Sequence, residues 1–309
     1  MLVDVDEQAL LERDPTLLKL LLRDNTTGRN IVWATEDHAS RGSGFGAEDE
    51  ITVDAITGEN AGILQPRVEK VEHHQLGRTK ERAEVFTPSW LCNEQNNLVD
   101  EAWFGRPNVF NRPTKNGWRT NRDLIDFEDA GPRSWKRYVD ERRMEVACGE
   151  APYLVSRYDA TTGAPIKLER RIGLLDRKMR VVQENTTSEE EWLNWSLRAV
   201  QSIYGFELQG DSLLLARENI LASYTDYARA ALRREPSRDE LRRVARVISW
   251  NLWQMDAFTQ APPFHEPSSP ELLPTLFDTP AEDKKAALCR IRDWRGKKTT
   301  TFAALADGN

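Results

Sequence analysis

The sequence predicts an α/β fold in which helices cover both faces of a parallel sheet. Short apolar runs alternate with helical segments along the second half of the chain, which is the pattern of βαβ units. Several helix starts carry a hydroxyl residue with an acid three positions later, the spacing of a capping box; they are Ser188, Ser237 and Thr279. The 309 residues, 39% hydrophobic and 30% charged, suffice for one large or two small globular domains and exclude a collagen-like chain.

The first domain, residues 1–82, is predicted to be an α+β extension. Leucines at helical spacing predict a helix over 7–24, in which Asp14 and Pro15 supply a cap and a first-turn proline. From residue 30 to 70, short β-branched runs separated by a glycine-rich stretch predict a small strand-rich region. The charged segment that follows places the domain boundary at residue 82.

The second domain, residues 83–309, is predicted to hold the sheet. A helix is expected after Pro88, ending near Gly105, and residues 106–132 are loop-like because they are rich in Asn, Pro and Gly. The apolar runs predicted as strands are 144–146, 202–206 and 247–250. The further predicted helices are 189–202, 212–233, 238–248 and 280–288.

The charge balance limits the partners that this chain can bind alone. There are 43 Lys and Arg against 50 Asp and Glu, a net charge of -7. Proteins that bind DNA alone usually carry a strong positive field, so a nucleic-acid role must rest on a local patch or a partner subunit. The basic clusters at 133–143, 233–246 and 290–298 all contain acids, which predicts solvated helix faces.

The expected location is cytoplasmic, without membrane contact. No apolar run approaches the roughly 20 residues of a membrane helix, and the N-terminus lacks the basic and then apolar pattern of a secretory signal. Three widely spaced cysteines suit a reducing compartment. The four histidines and the cysteines show no metal-ligand spacing, so no metal site is expected.

A short apolar strand that runs into a small-residue turn is the first candidate for a binding site. Glu145 lies in the strand, and Ala147, Cys148 and Gly149 form the turn. Such a turn at the carboxyl end of a parallel strand lets the backbone approach a ligand closely. A purely structural turn is the alternative interpretation.

Two carboxylates, Glu207 and Asp256, follow later apolar runs. An acid at the tip of the second strand of a nucleotide-binding sheet can accept the ribose hydroxyls, and an acid after the third can accept from the adenine amine. The alternatives are a turn carboxylate and a helix cap, a role that Asp211 also fits. The segment Phe86-Thr87-Pro88 opens a helix, where a hydroxyl is a cap by default and a carboxylate can bind.

The order of these segments resembles the amino-methyltransferases of restriction–modification systems. The phrase Tyr204-Gly205-Phe206-Glu207, followed by Ala216-Arg217-Glu218-Asn219, is the closest match. From about Asn30 onward the chain resembles a bacterial group labelled restriction endonuclease subunit M. The blocks that carry this resemblance are residues 83–90, 147–159 and 250–256.

The resemblance implies a Rossmann-like class I methyltransferase fold that binds S-adenosylmethionine and methylates adenine N6 in DNA. Thr87, within the Phe86-Thr87-Pro88 segment, would contact the methionine end. Glu145, Ala147, Cys148 and Gly149 would form the first cofactor motif. Glu207 would hold the ribose and Asp256 the adenine. The implied partners are DNA, through a partner subunit, and other restriction–modification or defence proteins.

The chain departs from the family pattern in two places. Glu150 and Ala151 replace a small residue and a glycine of the first motif, which narrows the expected methionine pocket. The family's catalytic motif is Asn, Asp or Ser, then Pro-Pro and an aromatic residue that stacks on the flipped base. The one Pro-Pro pair here precedes Phe264, and Ala261 occupies the polar position, so Pro262, Pro263 and Phe264 are degenerate candidates.

Three functions therefore remain open. The first is a DNA adenine methyltransferase or its catalytic subunit. The second is a catalytically degenerate methyltransferase-fold module that serves as a subunit of a defence complex. The third is an enzyme that uses the cleft for another nucleotide reaction.

Overall fold

The computed structural model describes residues 5–69, 87–128, 134–265 and 288–306. The helix predicted over 7–24 is two helices, α1 Glu7–Arg13 and α2 Pro15–Leu22. Asp14 separates them because its backbone is extended, and its side chain accepts the Thr16 N–H to cap α2.

The strand-rich region predicted from residue 30 to 70 contains no strand in its described part, residues 30–69. Its β-branched runs meet in an isolated bridge between Val32 and Glu50, and a short helix, α3 Val53–Ile56, follows. Ala34 has a φ of 51°, in the left-handed region, which ends the extended backbone directly after Trp33. The predicted boundary at residue 82 lies outside the described residues.

The helix predicted after Pro88 is α4 Ser89–Phe104, which ends at Gly105 with a φ of 74°. The following segment, residues 106–132, was predicted to be a loop, and this prediction is wrong in part. It contains an antiparallel hairpin of β1 Asn111–Thr114 and β2 Gly117–Thr120. Asn116 turns the chain in the left-handed conformation, which asparagine tolerates well.

A three-stranded parallel sheet confirms the α/β class. Its strands are β3 Arg143–Val146, β4 Ile203–Glu207 and β5 Leu252–Gln254, in that spatial order. Helices connect them, as parallel strands require. After α5 Trp135–Asp140, which precedes β3, these helices are α6 Leu174–Asn185, α7 Glu189–Gln201, α8 Gly210–Leu232 and α9 Arg238–Asn251.

The strand predicted at 247–250 is wrong, because these residues form the last turn of α9. The Ser237–Glu240 capping box starts this helix, and Val247 and Ile248 lie on its buried face with Leu241 and Val244. A short apolar run fits a strand and a buried helix equally well. The helix predicted at 280–288 falls on residues that are, except for Leu288, outside the described ranges.

The two faces of the sheet are covered by different elements. One core joins the leucines of α2 with α8 and α9, so the N-terminal helices pack on the same core as the sheet. On the other face, Tyr204, Phe206 and Trp253 pack against a C-terminal hairpin rather than the expected helix. That hairpin is β6 Arg290–Asp293 and β7 Lys298–Thr301, followed by α10 Phe302–Ala306. Within the described ranges, no helix is long and apolar enough to cross a membrane.

Candidate functional site

The predicted small-residue turn lies at the carboxyl end of β3. Ala147, Gly149 and Ala151 all have φ values between 49° and 63°, a conformation that costs alanine about 1 kcal/mol or more. The N–H of Cys148 donates to the Phe206 carbonyl at 2.9 Å, which attaches the turn to β4. An added Cβ at Gly149 would meet no atom within 4 Å, so this side of the turn is open.

Glu145 lies beneath this turn and holds it. Its carboxylate accepts the N–H groups of Tyr153 at 3.3 Å and of Leu154 at 3.1 Å. Burial raises the pKa of Glu145 to about 8, and the nearby Glu207 carboxylate contributes to the rise. The side chain is therefore mainly protonated at neutral pH, and its contacts make it a support of the turn.

Glu207, at the end of β4, binds backbone groups from two segments. Its Oε2 accepts the Gly149 N–H at 2.8 Å, and its Oε1 accepts the N–H groups of Leu208 at 2.9 Å and Gln209 at 3.2 Å. The residue thus joins the turn after β3 to the end of β4. A ligand hydroxyl at this carboxylate would share or replace one of these bonds.

Asp256 lies beside Glu207 at the same edge of the sheet, because the Met255 N–H donates to the Glu207 carbonyl at 3.0 Å. The Oδ1 of Asp256 accepts the N–H groups of Phe258 at 2.8 Å and Thr259 at 3.3 Å. This bonding corresponds to the turn-carboxylate alternative. Its Oδ2 has no hydrogen bond with a described residue, so it is the carboxylate oxygen best placed to accept from a ligand.

The start of α4 is occupied by a carboxylate of the chain itself. Phe86 lies outside the described residues, whereas Thr87 and Pro88 directly precede the helix. The Ser89 N–H donates to Asp159 Oδ2 at 2.8 Å. Burial alone would raise the pKa of Asp159, but hydrogen bonds from Thr161 and Ser89 lower it to about 2. Sequence reasoning missed Asp159, because no local pattern marks this loop as a partner of α4.

The Pro-Pro segment folds back toward Asp256. The Asp256 N–H donates to the Ala261 carbonyl at 3.0 Å, and Pro262 and Pro263 are buried. Both proline carbonyls face His265. The backbone N–H of His265 donates to the Pro262 carbonyl at 3.3 Å, and its ring Nδ1 lies 2.9 Å from the Pro263 carbonyl oxygen. Phe264 is 57% exposed. The segment therefore lies near the sheet edge, with its backbone acceptors engaged in the turn.

The N-terminal segment crosses the same edge, which the sequence did not indicate. Gln254, the last residue of β5, accepts the Val32 N–H at 2.9 Å and donates to the Val32 and Leu208 carbonyls, both at 2.8 Å. The Gly210 N–H donates to the Trp33 carbonyl at 2.9 Å. Any larger residue at Gly210 would collide with the Val32 carbonyl. Residues 32–33 therefore form part of the site's wall.

The residues of the Ala216-Arg217-Glu218-Asn219 phrase support the fold. The Arg217 guanidinium, fully buried, donates to the carbonyls of Leu21, Arg23 and Leu252, which ties α2 to β5. Asn219 donates to the Glu150 carbonyl at 3.2 Å.

Glu150 does not narrow the site as the sequence suggested. It is buried, and its carboxylate accepts the Tyr158 hydroxyl at 2.6 Å. Two cavities of the described structure, of about 490 and 200 Å³, are lined by none of the predicted site residues. Within the described ranges, no cluster of His, Cys, Asp or Glu could hold a metal ion.

No family model, curated protein or solved structure matches this chain.

Proposed function

We propose that this chain is a DNA methyltransferase-like subunit of a restriction–modification or defence system and binds S-adenosylmethionine at the carboxyl edge of β3, β4 and β5. One observation carries the proposal. The Glu207 carboxylate accepts a hydrogen bond from the Gly149 N–H, and the Glu207 carbonyl accepts one from the N–H of Met255, the residue before Asp256. The three predicted cofactor contacts, Gly149, Glu207 and Asp256, therefore lie together at one edge of the sheet. Ligands of open α/β sheets bind at this edge. The parallel order of the strands is compatible with the Rossmann-like class I fold.

The residues present fit the cofactor in part. Asp256 Oδ2 would accept from the adenine amine, and the open side of Gly149 leaves room for close backbone approach. Glu207 would bind the ribose by exchanging one of its backbone bonds. The methionine carboxylate of the cofactor would meet the Asp159 carboxylate, which already occupies the start of α4. The methionine end of the cofactor therefore needs another site, or the 156–172 segment must shift. When bound, the cofactor supplies a methyl group for transfer to adenine N6.

A catalytically degenerate binding module is the second candidate, and the Pro-Pro segment favours it. Ala261 lacks the side-chain acceptor that polarises the target amine, and the proline carbonyls face His265. In this case the chain would contribute a cofactor cleft or a scaffold, and a partner subunit would supply contact with DNA and catalysis.

Calorimetric titration with S-adenosylmethionine tests the proposal. We expect the wild type to bind, and Asp256→Asn to weaken binding at least about tenfold, since a hydrogen bond to a charged group contributes about 1.5–3 kcal/mol. The matched control is Asp54→Asn, which changes an exposed carboxylate on α3. Absence of binding at millimolar cofactor refutes the cofactor proposal. Equal affinities of both variants refute the role of Asp256.

Transfer of a tritiated methyl group to mixed-sequence DNA separates the two candidates. We expect transfer only when the products of adjacent genes are present, because this chain lacks the polar acceptor. Transfer by the isolated chain would exclude the degenerate module.

A further inference from the structure

The hairpin β1–β2 lies in a segment of uniform positive charge. Residues 106–122 contain five basic side chains and no acidic one, although the whole chain has a net charge of -7. These residues are Arg106, Arg112, Lys115, Arg119 and Arg122. The nearest acid along the chain is Asp123. The hairpin is therefore a local basic patch, distinct from the clusters at which acids and bases alternate.

Two arginines of this hairpin lie directly opposite each other. Arg112 pairs with Arg119 in the antiparallel register, so their side chains leave the same face, and both are exposed. Like charges at such a position destabilise a sheet. Neither arginine makes an ion pair with a described residue, and the same holds for Lys115 at the tip and for Arg122. Arg106, at the edge of the segment, is the exception, since its guanidinium lies 3.8 Å from the Asp126 carboxylate.

Several other arginines of this chain are paired with carboxylates. Arg234 contacts Glu189 at 2.5 Å and Glu240 at 2.7 Å, and Arg229 contacts Glu235 at 2.5 Å. The hairpin thus retains a repulsive cationic pair in a chain that has an excess of carboxylates. An anionic partner would remove this repulsion.

The hairpin is held firmly by uncharged contacts at its base. Asn111 and Asn93 exchange two hydrogen bonds of 2.7 and 2.8 Å in a buried position. On the other side, the Trp118 indole donates to the Arg170 carbonyl at 2.9 Å, and the Arg170 guanidinium lies 5.7 Å from the ring centre. Arg170 is exposed and adds a further cation, next to Glu169. The basic face is thereby presented in a fixed orientation.

We propose that the hairpin β1–β2 docks on the phosphate backbone of a DNA duplex, with Arg112 and Arg119 as the central contacts. Arginine binds phosphate through paired N–H groups, and a two-stranded ribbon fits the major groove. A direct DNA contact of this chain goes beyond a role that depends on a partner subunit. The DNA contact does not require the cofactor site. The DNA-binding proposal and the cofactor-binding proposal can therefore be refuted independently of each other.

The test measures fluorescence anisotropy of a labelled 30-base-pair duplex of mixed sequence, without cofactor, from low salt to about 200 mM. We expect Arg112→Gln/Arg119→Gln to reduce affinity at low salt by about tenfold or more. The slope of log affinity against log salt should fall in magnitude by about 1.8, since each lost phosphate contact removes about 0.9. The melting temperature should stay equal or rise, because the repulsion is removed.

The matched control is Arg243→Gln/Arg246→Gln, which removes two exposed charges from α9. We expect the control to retain the wild-type affinity within about twofold, since these residues lie outside the hairpin. Equal losses in both double variants would mean that only total charge matters, and would overturn the proposal. No binding of wild type at 20 mM salt, or stronger binding to poly-glutamate than to DNA, would also overturn it.

Discussion

Replacement of Glu145 by glutamine should change how the stability of the protein depends on pH. The carboxyl group has a pKa of about 8 in the folded chain, against an ordinary value of 4.5, chiefly because it is buried. The folded state therefore holds a proton that the unfolded state releases between these two values. Stability from this group is fully present below pH 4.5 and is lost as the pH rises through 8.

The size of the effect follows from the two pKa values. Each pH unit between them costs the wild type about 1.4 kcal/mol of unfolding free energy. Between pH 5 and pH 8 the loss amounts to about 3.5 kcal/mol, since the slope is smaller near each of the two pKa values. Glutamine resembles the protonated acid and can still accept one of the bonds from Tyr153 and Leu154, so Glu145→Gln should lack this loss.

Urea unfolding of both proteins at pH 5, 6, 7 and 8 measures the difference. We expect similar stabilities at pH 5 and an increasing advantage of the variant toward pH 8. A constant difference over this range would mean that the Glu145 carboxyl does not carry a raised pKa. The control variant Glu69→Gln, changed at an exposed position, should show no such trend.

Two further substitutions test the supports of the site. Arg217→Met should lower the unfolding free energy by about 3–5 kcal/mol, because buried carbonyls of Leu21, Arg23 and Leu252 lose their donor. In urea unfolding the exposed Arg243→Met should change stability by less than about 0.5 kcal/mol, and equal effects would contradict the role of Arg217. Asp159→Asn should cost about 1 kcal/mol at pH 7, as expected for a helix cap. The pKa of Asp159 is lowered to about 2, so its contribution is present above about pH 4 and the difference should diminish as the pH falls through 2. A cost that stays constant from pH 7 to below pH 2 would exclude the charge as its cause.

Much of the secondary structure could be predicted where a local signal was strong. The Ser237–Glu240 capping box located the start of α9. Asp14 and Pro15 were predicted as a cap and a first-turn proline, although the helix was predicted to run through them. Strand β4 was predicted within one residue at each end. The predictions were wrong where a short apolar run had two possible partners, as at 247–250, or where turn residues concealed a hairpin, as at 111–120.

The candidate site could be predicted only as a set of residue types. The strand order brings Gly149, Glu207 and Asp256 to one edge, as parallel strands connected by helices require. The sequence could not indicate how each carboxylate is used. Glu207 binds backbone amides, Glu150 turns into the core, and Asp159 reaches the start of a helix 70 residues earlier in the chain.

By itself, the sequence determined the class of fold, the starts of several helices and the carboxylates available at the sheet edge, because capping and apolar periodicity act over a few residues. Only the tertiary structure decided which polar groups are already satisfied. A buried donor or acceptor can take its partner from any part of the chain, as Arg217 does from residues 194 to 196 positions away. The same holds for the paired arginines of the hairpin, whose repulsion exists only because folding sets Arg112 opposite Arg119.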